Sequence, residues 1–404
     1  MCVPSLRVGN RFINSNGNTA LSEQRSAGIR LATAGRASES SVWDRRANNF
    51  DFLRLALAVL VIYSHSYPLG TGSEAHEPFV VATRGQLTGG AVAVNLFFVM
   101  SGFLIAASAE RTRTVQGFLR KRFLRIYPAF LVCAFLTMLI AVPLSHAVLL
   151  RESFAGRLGD FILQTLRLTE FSYRDAFPAN PYPGFINGSV WSIQYEFWCY
   201  LGVALLTMLG LLKRPMIVLS LFAVSIAVSL YLRAEHLVYG GKMLGILFGS
   251  PQLWARLLPL YLAGVCFHLF RRYIPLHAGL AAVAAAALAL ACLLPYGFVT
   301  IFPLAGTYLI FYLAYAPWIR LSSFGRYGDF SYGTYLYAFP VEQIVMQSLG
   351  HATSPWKLFW ISMPLTLVCA ALSWYGVERR FFQPMRQGVD AATIRPDPAR
   401  RLPL

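Results

Sequence analysis

Two residues interrupt the otherwise apolar stretch from Asn49 to Leu69, NFDFLRLALAVLVIYSHSYPL: Arg54 near its start and His65 eleven positions later. A helix rises about 1.5 Å per residue, which sets these side chains roughly 16 Å apart along its axis. If the stretch crosses a bilayer, Arg54 lies near one face and His65 lies past the midplane. Ionisable groups at such depth are costly and by default mark function. An imidazole there suits general acid–base work.

Other ionisable and small residues fall in comparable surroundings. Glu196 lies in SVWSIQYEFWCYL, about seven residues from the start of an apolar segment. Counting from the membrane surface gives it roughly the depth of His65, so the two could form a base–orienter pair. A structural hydrogen bond joining two helices fits the same depth. The loop GFLRKRFLRIYP carries Arg120, Lys121, Arg122 and Arg125. Such a cluster is either a positive-inside signal beside anionic lipid or a clamp for a phosphate-bearing donor such as coenzyme A. Ser101 and Gly102 interrupt VNLFFVMSGFLIA and permit close approach of a helix or of a threaded ligand arm. Glu342, in a segment that also holds Tyr332, Tyr335 and Tyr337, falls near mid-membrane and needs a partner or a cavity.

The composition indicates what must position these groups. Of 404 residues, 56% are hydrophobic and 13% charged, well below the charged fraction of a soluble domain. The expected fold class is all-α, a polytopic helical bundle of about ten transmembrane helices, near 51–69, 88–109, 123–146, 189–212, 215–233, 252–270, 277–295, 298–316, 330–349 and 357–377. An even count puts both termini on one side. Most Lys and Arg then fall on that side, which makes the termini cytoplasmic. The net charge of +17 is topological on this reading, and no nucleic-acid partner is expected. The six cysteines have no metal-ligand spacing and read as packing residues, so no metal is expected.

Residues 1–47 are polar, without the apolar run of a secretory signal, and are expected to be a disordered cytoplasmic segment. The membrane domain is placed at 48–384 and a cytoplasmic tail at 385–404. The long outer loop, 147–188, contains a possible amphipathic helix from Asp160 to Thr169, followed by PANPYPGFING. It reads as a lid or as a surface connection.

Taken together, these stretches resemble acyltransferase family 3, the multi-pass O-acyltransferases of cell-envelope and secreted glycans. The resemblance runs from about Asn49 to Phe382. It rests on the basic-X10-His pattern of Arg54 and His65, preceded by Asp51, and on the run Asn95 to Ile105, similar to FFVLSGFLI. It rests also on Arg120-Lys-Arg122 with Arg125-Ile-Tyr-Pro128, on Trp191 to Glu196, similar to WSLxxE, on Ser331 to Pro340, similar to SYxxYLxHFP, and on Val377-Glu378-Arg379. One departure is Ala338, where many members carry His.

The resemblance implies transfer of an acyl group, acetyl in the first instance, from cytoplasmic acyl-CoA to a glycan hydroxyl on the outer side of the inner membrane. His65 would be the general base and Glu196 its orienter. Arg54, Arg120, Arg122 and Arg125 would hold the CoA phosphates, and the pantetheine arm would pass Ser101 and Gly102. The alternative reading is a proton-coupled transporter or flippase for a glycan or lipid intermediate. Binding of acyl-CoA by the purified protein separates the two.

Overall fold

The computed structural model describes residues 48–112, 114–141, 154–173, 176–235, 245, 247–316, 318–319, 321–350 and 352–381. The expected terminal segments, and the sidedness of the termini, lie outside these residues. Eleven helices of fourteen residues or more organise the described part: α1 (Phe50–Thr71), α2 (Gly89–Arg111), α3 (Val115–Leu136), α4 (Phe154–Arg167), α5 (Trp191–Met208), α6 (Pro215–Ala234), α7 (Pro251–Phe270), α8 (Ala278–Ala291), α9 (Gly297–Ala314), α10 (Ser331–Leu349) and α11 (Pro355–Ser373). This is an all-α polytopic membrane protein. Each of the ten apolar segments corresponds to a helix, and α4 is the amphipathic helix of the long loop. It runs from Phe154, six residues earlier than expected.

Seven of these helices are long and apolar enough to cross a membrane: α1, α2, α3, α6, α7, α9 and α11, with α3 and α11 each continuing a few residues beyond its bounds. The other three segments fall short for physical reasons. The 14 residues of α8 span about 21 Å, less than the hydrocarbon core. Helices α5 and α10 carry Gln194, Glu196, Glu342 and Gln343 among their hydroxyl residues, and both bury much of that polar surface against other helices.

Helix α1 packs between α2 on one side and α10 with α11 on the other. Buried Asn49 fixes its start. The Asn49 backbone N–H and side-chain amide donate to the Ala314 and Leu313 carbonyls at the end of α9, and its side-chain oxygen accepts from the Leu321 N–H. Helix α2 packs most extensively on α7, where two glycines face one another's backbones. A Cβ on Gly102 would press into the Tyr261 carbonyl, and one on Gly264 into the Val99 carbonyl. Such small-residue contacts are how helices approach closely in lipid.

A short antiparallel pair, β1 (Phe171–Ser172) with β2 (Phe185–Asn187), leads into α5. The β2 strand and the residues after it are inserted against α10 rather than laid over its end. Pro340 has no N–H, so the Leu336 carbonyl four residues earlier loses its helical donor. Asn187 Nδ2 donates to that carbonyl at 3.0 Å, and Ser189 Oγ donates to the neighbouring Tyr335 carbonyl at 3.1 Å. Non-helical backbone at membrane depth is tolerated only where protein groups satisfy it in this way. Gln343 completes the attachment by donating to the Tyr182 and Phe185 carbonyls, while its own side-chain oxygen accepts from Asn180.

Candidate active site

The end of the bundle holding Phe50 and Arg125 is called the basic end here, and the end holding Thr71 and Gly89 the far end. His65 is one turn and a half from the far end of α1, with its side chain 24% exposed. Its ring meets the Phe339 ring edge-on at 5.5 Å. Its Nδ1 lies 3.7 Å from Oε2 of Glu342, a fully buried carboxylate on α10. The other Glu342 oxygen accepts a 2.9 Å hydrogen bond from Ser66, the residue after His65. Among the described residues neither His65 Nδ1 nor Glu342 Oε2 has a hydrogen-bond partner. The two atoms face one another just beyond hydrogen-bond reach, a separation common for catalytic pairs without substrate.

The expected partnership of His65 with Glu196 is therefore corrected: the carboxylate beside His65 is Glu342. Glu196 accepts from Ser101 Oγ at 2.8 Å and from Tyr200 OH at 2.5 Å. The error lies in depth. Counting placed the start of α5 at a membrane surface, but the strand ahead of it dips along α10. Ser192 bonds to the Tyr335 hydroxyl, and Phe97 packs against the same ring. Tyr335 is seven residues from Glu342 and Glu196 is one turn beyond Ser192, so Glu196 sits roughly 16 Å nearer the basic end than His65. The position of Ser101, one turn beyond Phe97 on α2, agrees.

At the basic end the four arginines divide. Arg54 Nη1 and Arg125 Nη2 both donate to Asp329 Oδ2, at 2.9 and 2.6 Å. Arg125 also lies 3.6 Å from Glu378 Oε2 and over the Tyr332 ring. Asp329 precedes α10, where the Ser331 N–H and hydroxyl donate to its second oxygen. Burial alone would raise the Asp329 carboxyl, but the Arg54 and Arg125 guanidinium groups, with Ser331, hold it well below the usual carboxylate range. Thus α1, α3, α10 and the end of α11 are tied together by an ion network.

Arg120 is exposed and Arg122 half-buried; neither has a carboxylate partner among the described residues. Arg122 donates weakly to Ser108 at 3.4 Å, lies over the Tyr200 ring, and leaves its buried Nε without a partner. Ser101 borders this inner cluster through Glu196. Gly102 does not open a passage. Its small size is used by the Tyr261 backbone.

Sequence reasoning left Glu342 without a partner and missed Asp329 and Tyr200. Asp329 is the one acid between Glu235 and Glu342, a scarcity that could have marked it. Tyr200 follows Glu196 by four residues, the spacing of helix neighbours.

A partly exposed imidazole beside a buried carboxylate, in a multi-pass bundle with a basic end, suits group transfer within a membrane, and comparison with known proteins gives the class. The family described as an acyltransferase domain matches residues 48–375, and the chain belongs to it. It is an O-acyltransferase. It is 28% identical over 349 residues to the O-acetyl transferase of Shigella phage Sf6, covering 83% of this chain and 96% of that protein. It is also 28% identical over 365 residues to nodulation protein 10 of Rhizobium leguminosarum bv. viciae, covering 82% and 92% of the two chains. A 113-residue stretch is 34% identical to acyltransferase MdmB of Streptomyces mycarofaciens, 28% of this chain and 27% of that one. No solved structure matches.

Proposed function

We propose that the protein moves an acyl group, acetyl in the simplest case, from acyl-CoA at the basic end to a glycan hydroxyl at the far end, with His65 as general base. The observation that carries this reading is the His65–Glu342 pair on two facing helices of an acyltransferase-family bundle. With Nδ1–H directed at Glu342, the His65 Nε2 lone pair is free to act. The acceptor O–H gives its proton to Nε2 as its oxygen attacks the thioester carbonyl. The tetrahedral intermediate then collapses, the C–S bond breaks, and the imidazolium returns the proton to the departing thiolate. The products are the O-acyl ester and free CoA, and Glu342 stabilises the transient imidazolium.

The donor's phosphates would meet Arg120, Lys121 and Arg122, whose charges no carboxylate takes up among the described residues. Arg54 and Arg125 would shape that end through Asp329, and Arg54, 27% exposed, would keep part of its guanidinium for the donor. The pantetheine arm would pass Ser101, Glu196 and the Ser192–Tyr335 hydrogen bond toward His65. Basic ends of such bundles face the cytoplasm, so on this reading the bundle spans the inner membrane, with both termini cytoplasmic and the glycan acceptor outside. Glu196 would line the path of the pantetheine arm, well short of the imidazole.

The test is acyl transfer by the protein reconstituted with labelled acetyl-CoA, together with mass spectrometry of envelope and secreted glycans with and without the gene. A His65→Ala variant should bind acetyl-CoA, elute as the wild type does, and transfer nothing. Wild-type turnover in that variant would remove His65 from the chemistry.

A further inference from the structure

The far end holds a second group of arginines that the transfer reaction does not use. Arg233, at the end of α6, and Arg256, one turn and a half into α7, line one slot together with Asn95 of α2 and Ser229 of α6. Apart from Thr300 the remaining walls are apolar, among them Ile226, Leu230, Pro259, Leu260, Val299 and Phe302. The slot has about 30 Å³ of free volume, room for roughly two water-sized groups. It adjoins a wider cavity of about 450 Å³ that shares Arg233 and Val299 as walls and adds Arg84, Gln86 and Tyr296. That volume is in the range of small-molecule sites.

Three features make this place unusual. The first is charge without a carboxylate partner among the described residues. No Asp or Glu occurs in the sequence between Glu235 and Asp329, or between Glu77 and Glu110, and Glu235 itself is exposed and makes no ion pair with either arginine. The second is position. Arginines gather at the basic end of this protein, so three at the far end run against the charge asymmetry of the bundle. Membrane-buried cations without a carboxylate mark ligand paths.

The third is orientation. Arg256 is fixed by two of its nitrogens, Nε donating to Asn95 Oδ1 at 3.0 Å and Nη2 to the Ala91 carbonyl at 3.1 Å, with the Trp191 ring 6.0 Å from its guanidinium carbon. Its Nη1 has no partner among the described residues. Arg233 spends one nitrogen on a 3.5 Å contact with Ser229.

We propose that this slot and cavity bind the phosphate of a phosphorylated lipid at the far end of the bundle, phosphate oxygens between Arg233 and Arg256, Arg84 at the mouth, and hydrocarbon along Ile226, Leu230 and Phe302. Guanidinium forks match phosphate oxygens, and the free volume beside Arg256 admits such oxygens but no sugar ring. Two sources present this chemistry, an isoprenoid phosphate and a glycerophospholipid. The assignment does not depend on which residue performs acyl transfer.

The experiment measures binding to the purified full-length protein in neutral detergent, using farnesyl phosphate, dihexanoyl phosphatidic acid, farnesol and inorganic phosphate as probes. Farnesyl phosphate or dihexanoyl phosphatidic acid should bind at least tenfold more tightly than farnesol or inorganic phosphate. Whichever of the two binds more tightly identifies the source. The variants Arg233→Gln and Arg84→Gln, which leave the Arg256 contacts intact, should together weaken that binding at least tenfold while farnesol is unaffected. Arg256→Gln should do the same, provided its unliganded unfolding temperature matches wild type. Equal binding of farnesol and farnesyl phosphate, or unchanged affinity in the Arg84/Arg233 double variant, would overturn the proposal.

Discussion

His65 Nδ1 and Glu342 Oε2 face one another across 3.7 Å, each without a hydrogen-bond partner among the described residues, while Ser66 holds the other Glu342 oxygen. Adjacent residues of α1 thus engage both oxygens of one buried carboxylate. Glu342 can orient the ring without being its proton acceptor. Replacing it by Gln keeps the shape and the Ser66 contact but removes the charge that steadies an imidazolium. We expect Glu342→Gln to lower kcat roughly 100- to 10,000-fold with little change in KM for acyl-CoA. Glu342→Asp should recover part of the loss. A rise in KM with kcat preserved would assign Glu342 to binding.

Asp329 is the shared partner of Arg54 and of buried Arg125. Removing one member of a buried ion network leaves uncompensated charge, so Asp329→Asn should cost about 3–5 kcal/mol of stability. The pH dependence follows from its depressed carboxyl. The native carboxyl titrates below the unfolded value of about 3.9, so its stabilisation is present above that pH and fades as pH falls through the native value. Wild-type unfolding temperature in detergent should therefore fall on acidification below about pH 4, more steeply than that of Asp329→Asn. Parallel curves would show that Asp329 contributes nothing to the acid limb.

The helices were legible because apolar runs of membrane length leave few alternatives, and His65 was legible because an imidazole inside such a run is expensive. Its partner was not. Depth counting assumes that a helix starts at the membrane surface, and α5 instead follows a strand inserted beside the Pro340 kink of α10. The stretch that contains it, PANPYPGFING, is rich in Asn, Gly and Pro, which reads as surface loop. Nothing local in Asn187 or Ser189 reveals that their side chains answer carbonyls released by a proline some 150 residues later. The arginine cluster was legible as a cluster, but its division into Arg54 and Arg125 against Arg120 and Arg122 depends on Asp329, a long-range contact.

That division has its own consequence. Arg122 has no carboxylate partner among the described residues, whereas Arg125 is spent on Asp329. A lost charge-assisted hydrogen bond to phosphate is worth about 1.5–3 kcal/mol, or roughly ten- to a hundredfold in affinity. Arg122→Gln should raise the acyl-CoA dissociation constant by that factor and reduce its salt dependence, without lowering the unfolding temperature. Arg125→Gln should lower the unfolding temperature first. Isothermal titration beside a thermal melt distinguishes the two.

The insertion of the β2 strand at α10 is testable through Asn187. Its amide supplies a donor to the Leu336 carbonyl that Pro340 cannot. Cys133 Sγ also points at this carbonyl, at 3.3 Å, but a thiol is a weak donor. Asn187→Ala should therefore destabilise by about 1–3 kcal/mol. Combining it with Pro340→Ala, which restores the helical donor, should recover part of that loss. Additive losses in the double variant would mean that Asn187 serves some purpose other than satisfying this carbonyl.

Gly102 and Gly264 meet across the α2–α7 contact, each where a Cβ would strike the other helix's backbone. Carbonyl atoms cannot turn aside as a side chain can, so relief requires the helices to separate. Either Gly→Ala change should cost about 1–3 kcal/mol, in the range of an overpacked core. Separation forced by one methyl already makes space for the second, so the double variant should lose less than the sum of the singles. Acyl-CoA binding should survive in whatever fraction remains folded, because on this geometry Gly102 serves the helix contact. Loss of acyl-CoA binding in a Gly102→Ala protein that melts like wild type would instead place the ligand arm against this face of α2.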